Sequence, residues 1–424
     1  MLDIQLIRKD TARVKERLAT RFQGVESKID EVMAFDEKRR KLLTEVESLK
    51  AEKNKSAKEV GMLKAKGENA DALIAKTKEV TDRIAQLDQE VAKFEEDQRN
   101  VLLAIPNLPH ECVPLGKTAQ ENPEIRQGGS KKDFAFAPKN HIELTTKLGI
   151  IDFERGTKLS GSGFIVYRGL GARLERALIN FMLDLHTRDH GYTEIHPPYL
   201  VNRDILEGTG QLPKFEDQLY AIKDSDLFLI PTAEVPVANL HRDEILKEEQ
   251  LPIQYVAYTP CFRSEAGAAG IGTRGLLRVH QFDKVELIRI VKPDEGDKAH
   301  EEMLMNAEKV LQLLGLHYRV IILCTGDMGF AMSKTYDIEV WAPGQNAYLE
   351  VSSVSNASDY QSRRMALRYK DTAAKSNVFP HILNGSGVAL PRLVVALLET
   401  WQQSDGSILI PEPLQPYFGA DKIV

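Results

Sequence analysis

The chain has 424 residues, 42% hydrophobic and 28% charged, and its 62 acidic against 56 basic side chains leave a net charge of −6. That length exceeds one typical domain and allows a large core, while the negative balance excludes a surface coated in positive charge, so any nucleic-acid partner must be met by a local patch. The three cysteines, Cys112, Cys261 and Cys324, are far apart and lack metal-ligand spacing, which fits a reducing cytoplasm and no zinc; with no apolar signal core and no membrane-spanning run, the expectation is a cytoplasmic protein without a membrane partner.

Residues 1 to about 25 read as a short strand or turn and then a small helix, with Val14 and Leu18 at helical spacing. From Lys28 to about Ile105 the composition turns to Lys, Glu, Ala and Leu. Val80, Ile84, Leu87, Val91 and Phe94 step by four and three, and Ile29, Val32, Phe35, Leu42, Val46 and Leu49 carry the first half. The seam lapses over Asn54 to Asn69, which holds Gly61 and Gly67, so the chain is expected to turn there into an antiparallel two-helix coiled-coil arm of ~50 Å at ~1.5 Å per residue. Lys50, Lys53, Lys55, Lys58, Lys64 and Lys66 surround the tip against few acids, which suits a phosphate backbone. A solvated coiled coil for dimerisation is the open alternative.

Ala104 to Pro109 stops the second helix, and the Pro/Gly/polar stretch through Ser130 reads as a linker. The expected organisation is therefore a domain at 1–105 with its arm at about 28–104, a linker at 106–130 and a second domain at 131–424. Gly171 to Asp189 predicts an amphipathic helix, Tyr192 to Ile195 a strand, and Pro197 and Pro198 the end of pairing. Pro231-Thr232-Ala233-Glu234 reads as a helix start with Thr232 as N-cap.

Tyr255 to Val291 predicts a β-hairpin with a long turn. Arg263 and Glu265, two apart, are expected on one side of the first strand, and His280, Phe282 and Glu286 on one face of the second. A guanidinium, carboxylates and an aromatic ring suit a nucleotide, by phosphate chelation, amine acceptance and stacking. The turn from Ala266 to Arg278 holds Gly267, Gly270, Gly272 and Gly275 with Arg274 and Arg278, and could close over a polyanion. Alone, such an Arg-x-Glu is more often an ordinary surface ion pair, and a Gly-rich loop is usually just a loop. Lys298 to Leu314 predicts a helix, and Tyr318 to Leu323, Tyr336 to Trp341 and Ala347 to Val351 predict strands. The last carries Glu350 into Ser352, Ser353 and Ser355, oxygen donors that could hold Mg²⁺ on a triphosphate. Asn384-Gly-Ser-Gly387 reads as a glycine turn that lets backbone approach a ligand, followed by a helix with Arg392 early and Leu393, Leu397 and Leu398 buried.

In this order the segments resemble the bacterial-type seryl-tRNA synthetases over essentially the whole chain. Gly191 to Pro198 is similar to class II motif 1, Cys261 to Glu265 with Val279 to Glu286 to motif 2, Asn384 to Arg392 to motif 3, and Thr232-Ala233-Glu234 to the serine-binding signature. Leu390-Pro391 departs from the Val-Gly often found before the motif 3 arginine. The resemblance implies an α+β class II fold, an antiparallel or mixed sheet flanked by helices, with the N-terminal arm gripping serine tRNA. It implies ATP-dependent ligation of L-serine to tRNA(Ser) through seryl-adenylate, extending to tRNA(Sec) where a cell has one, in a homodimer joined around Pro198.

Residue by residue, the resemblance makes Arg263 and Arg392 catalytic. Arg263, Ser264, Glu265, Val279, Phe282, Glu350, Val351, Ser352, Ser353 and Arg392 would bind ATP, and Glu350 and Ser353 would hold Mg²⁺. Thr232, Ala233, Glu234, Arg263, Glu286, Asn384 and Ser386 would bind serine, and Arg274 would join the tip lysines on tRNA. Two rival readings are a ligase loading an amino acid onto a carrier protein, against which the arm argues, and a non-catalytic tRNA-binding paralogue, against which Arg263, Glu350 and Arg392 argue.

Overall fold

The computed structural model describes residues 1–265 and 274–424. The chain forms two compact units, one of residues 2–19 and 23–105, the other of Met1, 20–22 and 106–424.

The first unit opens with two helices, α1 (Ile4–Lys9) and α2 (Thr11–Ala19), where a strand or turn was expected. Asp3 explains the difference, because its carboxylate accepts the Gln5 N–H at 2.8 Å and caps α1. Two long antiparallel helices follow, α3 (Lys28–Ala65) and α4 (Asp71–Leu103). The predicted seam is the buried one: Ile29, Val32 and Val46 face Ile84, Leu87 and Val91, and the Phe35 and Phe94 rings meet at 6.2 Å. The expected turn over Asn54 to Asn69 is shorter, since α3 runs through Gly61 and the chain reverses only at 66–70, with Gly67 at φ +72°. An exposed helical glycine costs only ~1 kcal/mol against Ala, too little to break a helix of this length. The unit also buries a charge. Asp36 accepts from Arg8 Nε and Nη2 at 2.7 and 2.5 Å and has Gln98 Nε2 at 3.4 Å.

The second unit is organised by an eight-stranded sheet. Its strands are β1 (Glu124–Gly128), β2 (Thr193–Glu194), β3 (Ile253–Phe262), β4 (Gln281–Val291), β5 (Tyr318–Ile322), β6 (Lys334–Ala342), β7 (Ala347–Asn356) and β8 (His381–Ala389), in the order β1-β5-β6-β7-β8-β4-β3-β2. Every pairing is antiparallel except that of β2 with β3. The stretch read as a linker thus supplies β1, an edge strand. Helices α5 (His141–Leu148), α6 (Leu170–Asp184), α7 (Gly296–Leu313) and α8 (Leu390–Trp401) surround this sheet. Leu174 and Leu178 of α6, Met303 and Ala307 of α7, and Leu393 and Leu397 of α8 join Val285, Leu287, Val354 and Leu383 of the strands in one core.

Two differences from the sequence reading bear on the cavity described below. The strand expected to end at Val351 continues to Asn356, because Ser352 to Ser355 pair with β6 and β8 instead of leaving the sheet. Asn384 to Gly387, read as a turn, lies inside β8. Its glycines serve packing: a Cβ on Gly385 would meet Met303 Sδ at 3.1 Å, and one on Gly387 would meet His186 Nε2 at 2.8 Å. Pro391 sits in the first turn of α8, where no intrahelical N–H is lost.

Candidate functional site

Strands β4, β7 and β8 carry polar side chains into one cavity of about 570 Å³. Alternation along β4 places Phe282, Lys284 and Glu286 on its wall. Glu286 lies opposite Ser386 of β8, and Ser355 of β7 lies opposite Asn384, so the ladder sets these hydroxyl, amide and carboxylate groups side by side. His280 does not join them. It precedes the strand, stacks on Phe164 at 5.2 Å and has Tyr220 Oη at 2.9 Å from its Nδ1.

Arg263 and Glu265 border the cavity, but not as strand residues. β3 ends at Phe262, where Ser264 N–H donates to Gln218 O at 3.1 Å and Ser264 Oγ to Asp217 O at 2.8 Å. These bonds turn the chain out of the ladder and aim Ser264 away from the cavity; Glu265 follows at φ +48°. Arg263 lies over the Phe282 ring at 5.2 Å, with its Nε 3.3 Å from Pro231 O. Glu265 accepts from Arg278 Nη1 at 2.9 Å. Arg392 donates from Nη1 to Glu350 O at 2.9 Å and from Nε to Leu277 O at 3.2 Å. Val279, Val351, Ser352 and Ser353 complete this end. Of the expected glycine turn, Gly267, Gly270 and Gly272 lie outside the described residues; Arg274 is exposed.

The other end of the cavity is closed by Thr232 and Glu234. Ala233 between them turns into an apolar cluster instead. Thr232 Oγ1 accepts the Glu234 N–H at 3.2 Å, in the manner of a cap, although the helix it opens spans only Glu234–Ala238. Glu234 is buried, and its Oε1 accepts from Gln361 Nε2 at 2.7 Å and Asn384 Nδ2 at 3.1 Å. Burial, and then the charge of Glu286, push its carboxyl up to about 7. Lys284 joins both halves of this pocket. Its Nζ donates to Thr232 Oγ1 at 2.8 Å and ion-pairs with Glu286.

Sequence reasoning passed over Lys284 and Gln361. The spacing of two between Phe282, Lys284 and Glu286 held the signal for the first. Nothing local marked Gln361, which reaches Glu234 from 127 residues away.

The oxygen donors on β6 and β7 fit a divalent cation. Glu350 opens to the cavity, and Ser353 pairs across the ladder with Asp337, whose Oδ1 is buried without a hydrogen-bond partner. No group of three or more His, Cys, Asp or Glu among the described residues could hold a metal ion, so a cation here would take its remaining ligands from a bound phosphate. Outside the cavity, Pro198 is exposed after β2. Of the six tip lysines, Lys50 pairs with Asp88 at 3.3 Å and Lys53 is half-buried, while Lys55, Lys58, Lys64 and Lys66 are exposed.

An antiparallel sheet with an arginine-bearing hairpin, a polar central strand and a following arginine helix defines the class II aminoacyl-tRNA synthetase core. The family model "tRNA synthetase class II core domain (G, H, P, S and T)" matches residues 214–401, and "Seryl-tRNA synthetase N-terminal domain" matches residues 1–109. A serine--tRNA ligase of Akkermansia muciniphila is 56% identical over 423 residues, 100% of this chain and 99% of that protein, and one of Carboxydothermus hydrogenoformans is 52% identical over the same shares. The crystal structure of seryl-tRNA synthetase from Pyrococcus horikoshii complexed with ATP superposes with a TM-score of 0.93 at 40% identity, covering 100% of this chain and 99% of that one. The chain belongs to the seryl-tRNA synthetase family.

Proposed function

We infer that this chain activates L-serine with ATP and transfers the seryl group to tRNA(Ser). A serine carboxylate oxygen attacks the α-phosphorus and pyrophosphate leaves; a ribose hydroxyl at the tRNA end then attacks the seryl carbonyl carbon and AMP leaves. Both steps need alignment and charge neutralisation more than a protein nucleophile. The observation that carries the reading is the convergence, in one cavity, of Thr232, Arg263, Glu286, Glu350, Ser386 and Arg392, brought there from separate elements spread between residues 232 and 392. Family membership over the full length sets aside a carrier-protein ligase and an inactive paralogue.

In this reading Arg263 bridges the serine carboxylate and the α-phosphate. Phe282 and Arg392 enclose the adenine and Glu265 accepts from its amine. Thr232, Glu234, Glu286 and Ser386 hold the serine ammonium and hydroxyl, with Asn384 beside them. Glu350 and Ser353 would hold Mg²⁺, which neutralises the phosphates when bound. The arm, residues 28–104 of an N-terminal domain, grips tRNA through the tip lysines, and Arg274 meets the acceptor end. The same reading makes the protein a cytoplasmic homodimer joined around Pro198, with tRNA(Sec) as a further substrate where a cell has one.

Arg263→Ala tests the reading. The variant should lose serine-dependent ATP–pyrophosphate exchange by about a hundredfold or more while its circular dichroism stays unchanged. Retained exchange would remove Arg263 from the chemistry.

A further inference from the structure

Beneath the adenine end of the cavity, one buried carboxylate gathers three segments that are distant in sequence. Glu399 lies on α8, seven residues after Arg392, and is 0% exposed. Its Oε1 accepts from the His141 N–H at 2.8 Å and from Gln345 Nε2 at 2.9 Å; its Oε2 accepts the Gly344 and Gln345 N–H groups at 2.9 and 3.1 Å. The His141 imidazole, 1% exposed, places Nδ1 3.3 Å from Glu399 Oε1. On its far side Nε2 accepts the Leu276 N–H at 3.2 Å. A backbone N–H can only donate, so Nε2 is the unprotonated nitrogen; Nδ1, 3.3 Å from both Glu399 Oε1 and Gln345 Nε2, carries the proton and offers it to the carboxylate, while the Gln345 amide donates to Glu399.

This contact fixes a limb with chemical work on it. Residues Leu276, Leu277, Arg278 and Val279 all line the cavity. Leu277 O receives Arg392 Nε and Arg278 pairs with Glu265, so the height at which Leu276 is held sets where both side chains stand. Gly275 allows the approach: at φ +65° its Cβ would lie 2.2 Å from His141 Nε2. We propose that His141, oriented by Glu399, is a positioning residue for ATP, acting through the Leu276 N–H on the limb that supports Glu265, Val279 and Arg392. The inference rests on the reading of those three as ATP ligands.

The experiment is ATP–pyrophosphate exchange by the full-length enzyme, with ATP and serine varied separately. His141→Phe keeps a ring and removes the acceptor, and Glu399 keeps its four other donors. It should raise KM for ATP about tenfold, with serine KM within about twofold of the native value. His141→Gln restores an acceptor at the same reach and should bring KM for ATP back to within about threefold. Unchanged KM for ATP in the Phe variant, an equal rise for both substrates, or no rescue by Gln would each overturn the proposal. Should the Phe variant fail to fold, amide exchange of Leu276 in the native enzyme decides. Strong protection without ATP is expected, and exchange at the rate of a free loop overturns the anchor. Arg392→Ala isolates the underlying reading: unchanged KM for ATP there would refute the ATP assignment itself, whatever the His141 variants do.

Discussion

At the scale of single residues, the proposed place of Glu234 in the serine pocket predicts that serine binding depends on pH. Its carboxyl titrates near 7 because burial and Glu286 disfavour its charge. The serine ammonium stays charged throughout this range, so below about 7 it meets a neutral acid and above it a carboxylate. KM for serine should therefore rise as pH falls from 8 to 6, approaching about tenfold per unit at the acid end. Glu234→Gln, which has no proton to lose, should flatten that part of the profile, and a slope that survives in the variant would place the titration elsewhere. Glu286→Ala should raise KM for serine by about tenfold to a hundredfold, the equivalent of ~1.5–3 kcal/mol for a charged hydrogen bond, with KM for ATP little changed. It also leaves Lys284 with Thr232 as its remaining partner, so the variant should melt earlier. Spacing of two marked Phe282 and Glu286 on one strand face, but Arg263 and Glu265 follow the end of their strand, and Thr232, Glu234, Asn384 and Ser386 entered the candidate serine pocket through the family resemblance. Gln361 was marked by neither, since its partner is chosen by tertiary folding.

At the scale of elements, the heptad seam made α3 and α4 legible almost residue by residue. The buried Asp36 broke the apolar pattern and left no sign of its partner. Burial alone would raise the Asp36 carboxyl; Arg8, with Gln98 and Arg39, outweighs burial and holds it below the usual carboxylate range. Arg8→Ala should thus destabilise the packing of α1 on α3 by roughly 2 kcal/mol, less than fully stranding a buried charge because Arg39 and Gln98 remain. Faster amide exchange around Asp36 would register the loss, and native protection would contradict it. Excision of Lys28 to Leu103 with a short linker should leave pyrophosphate exchange near normal while slowing tRNA charging many-fold. In the intact enzyme tRNA affinity should fall as salt rises. Equal charging by both forms would reassign the arm to another role. β8 was misread as a turn for a physical reason: the glycines of Asn384 to Gly387 imitate loop composition, although here they only make room for Met303 and His186 behind the sheet.

For the molecule as a whole, two core histidines work against stability in acid. Burial, with His190 beside it, pushes His186 down to about 3, and burial pushes His300 down to about 4. Above pH 6.5 folded and unfolded chains are alike neutral at both sites. As pH falls below that value the unfolded chain takes up protons that the folded chain refuses, so stability declines toward pH 4, by up to ~1.4 kcal/mol per unit for each ring. The urea midpoint of the sheet-bearing unit should drop between pH 7.5 and 5.5, and an unchanged midpoint would show that other groups compensate. The strand β8 carries a different consequence. Asn384 and Ser386 face the cavity while Gly385 and Gly387 give their places to Met303 and His186. A methyl on either glycine can be seated only by moving those neighbours or by pushing the strand toward the substrate. The depth of the proposed serine pocket is thereby set from behind the sheet, and sequence drift there should come as paired exchanges across that wall, between residues that line no part of the cavity.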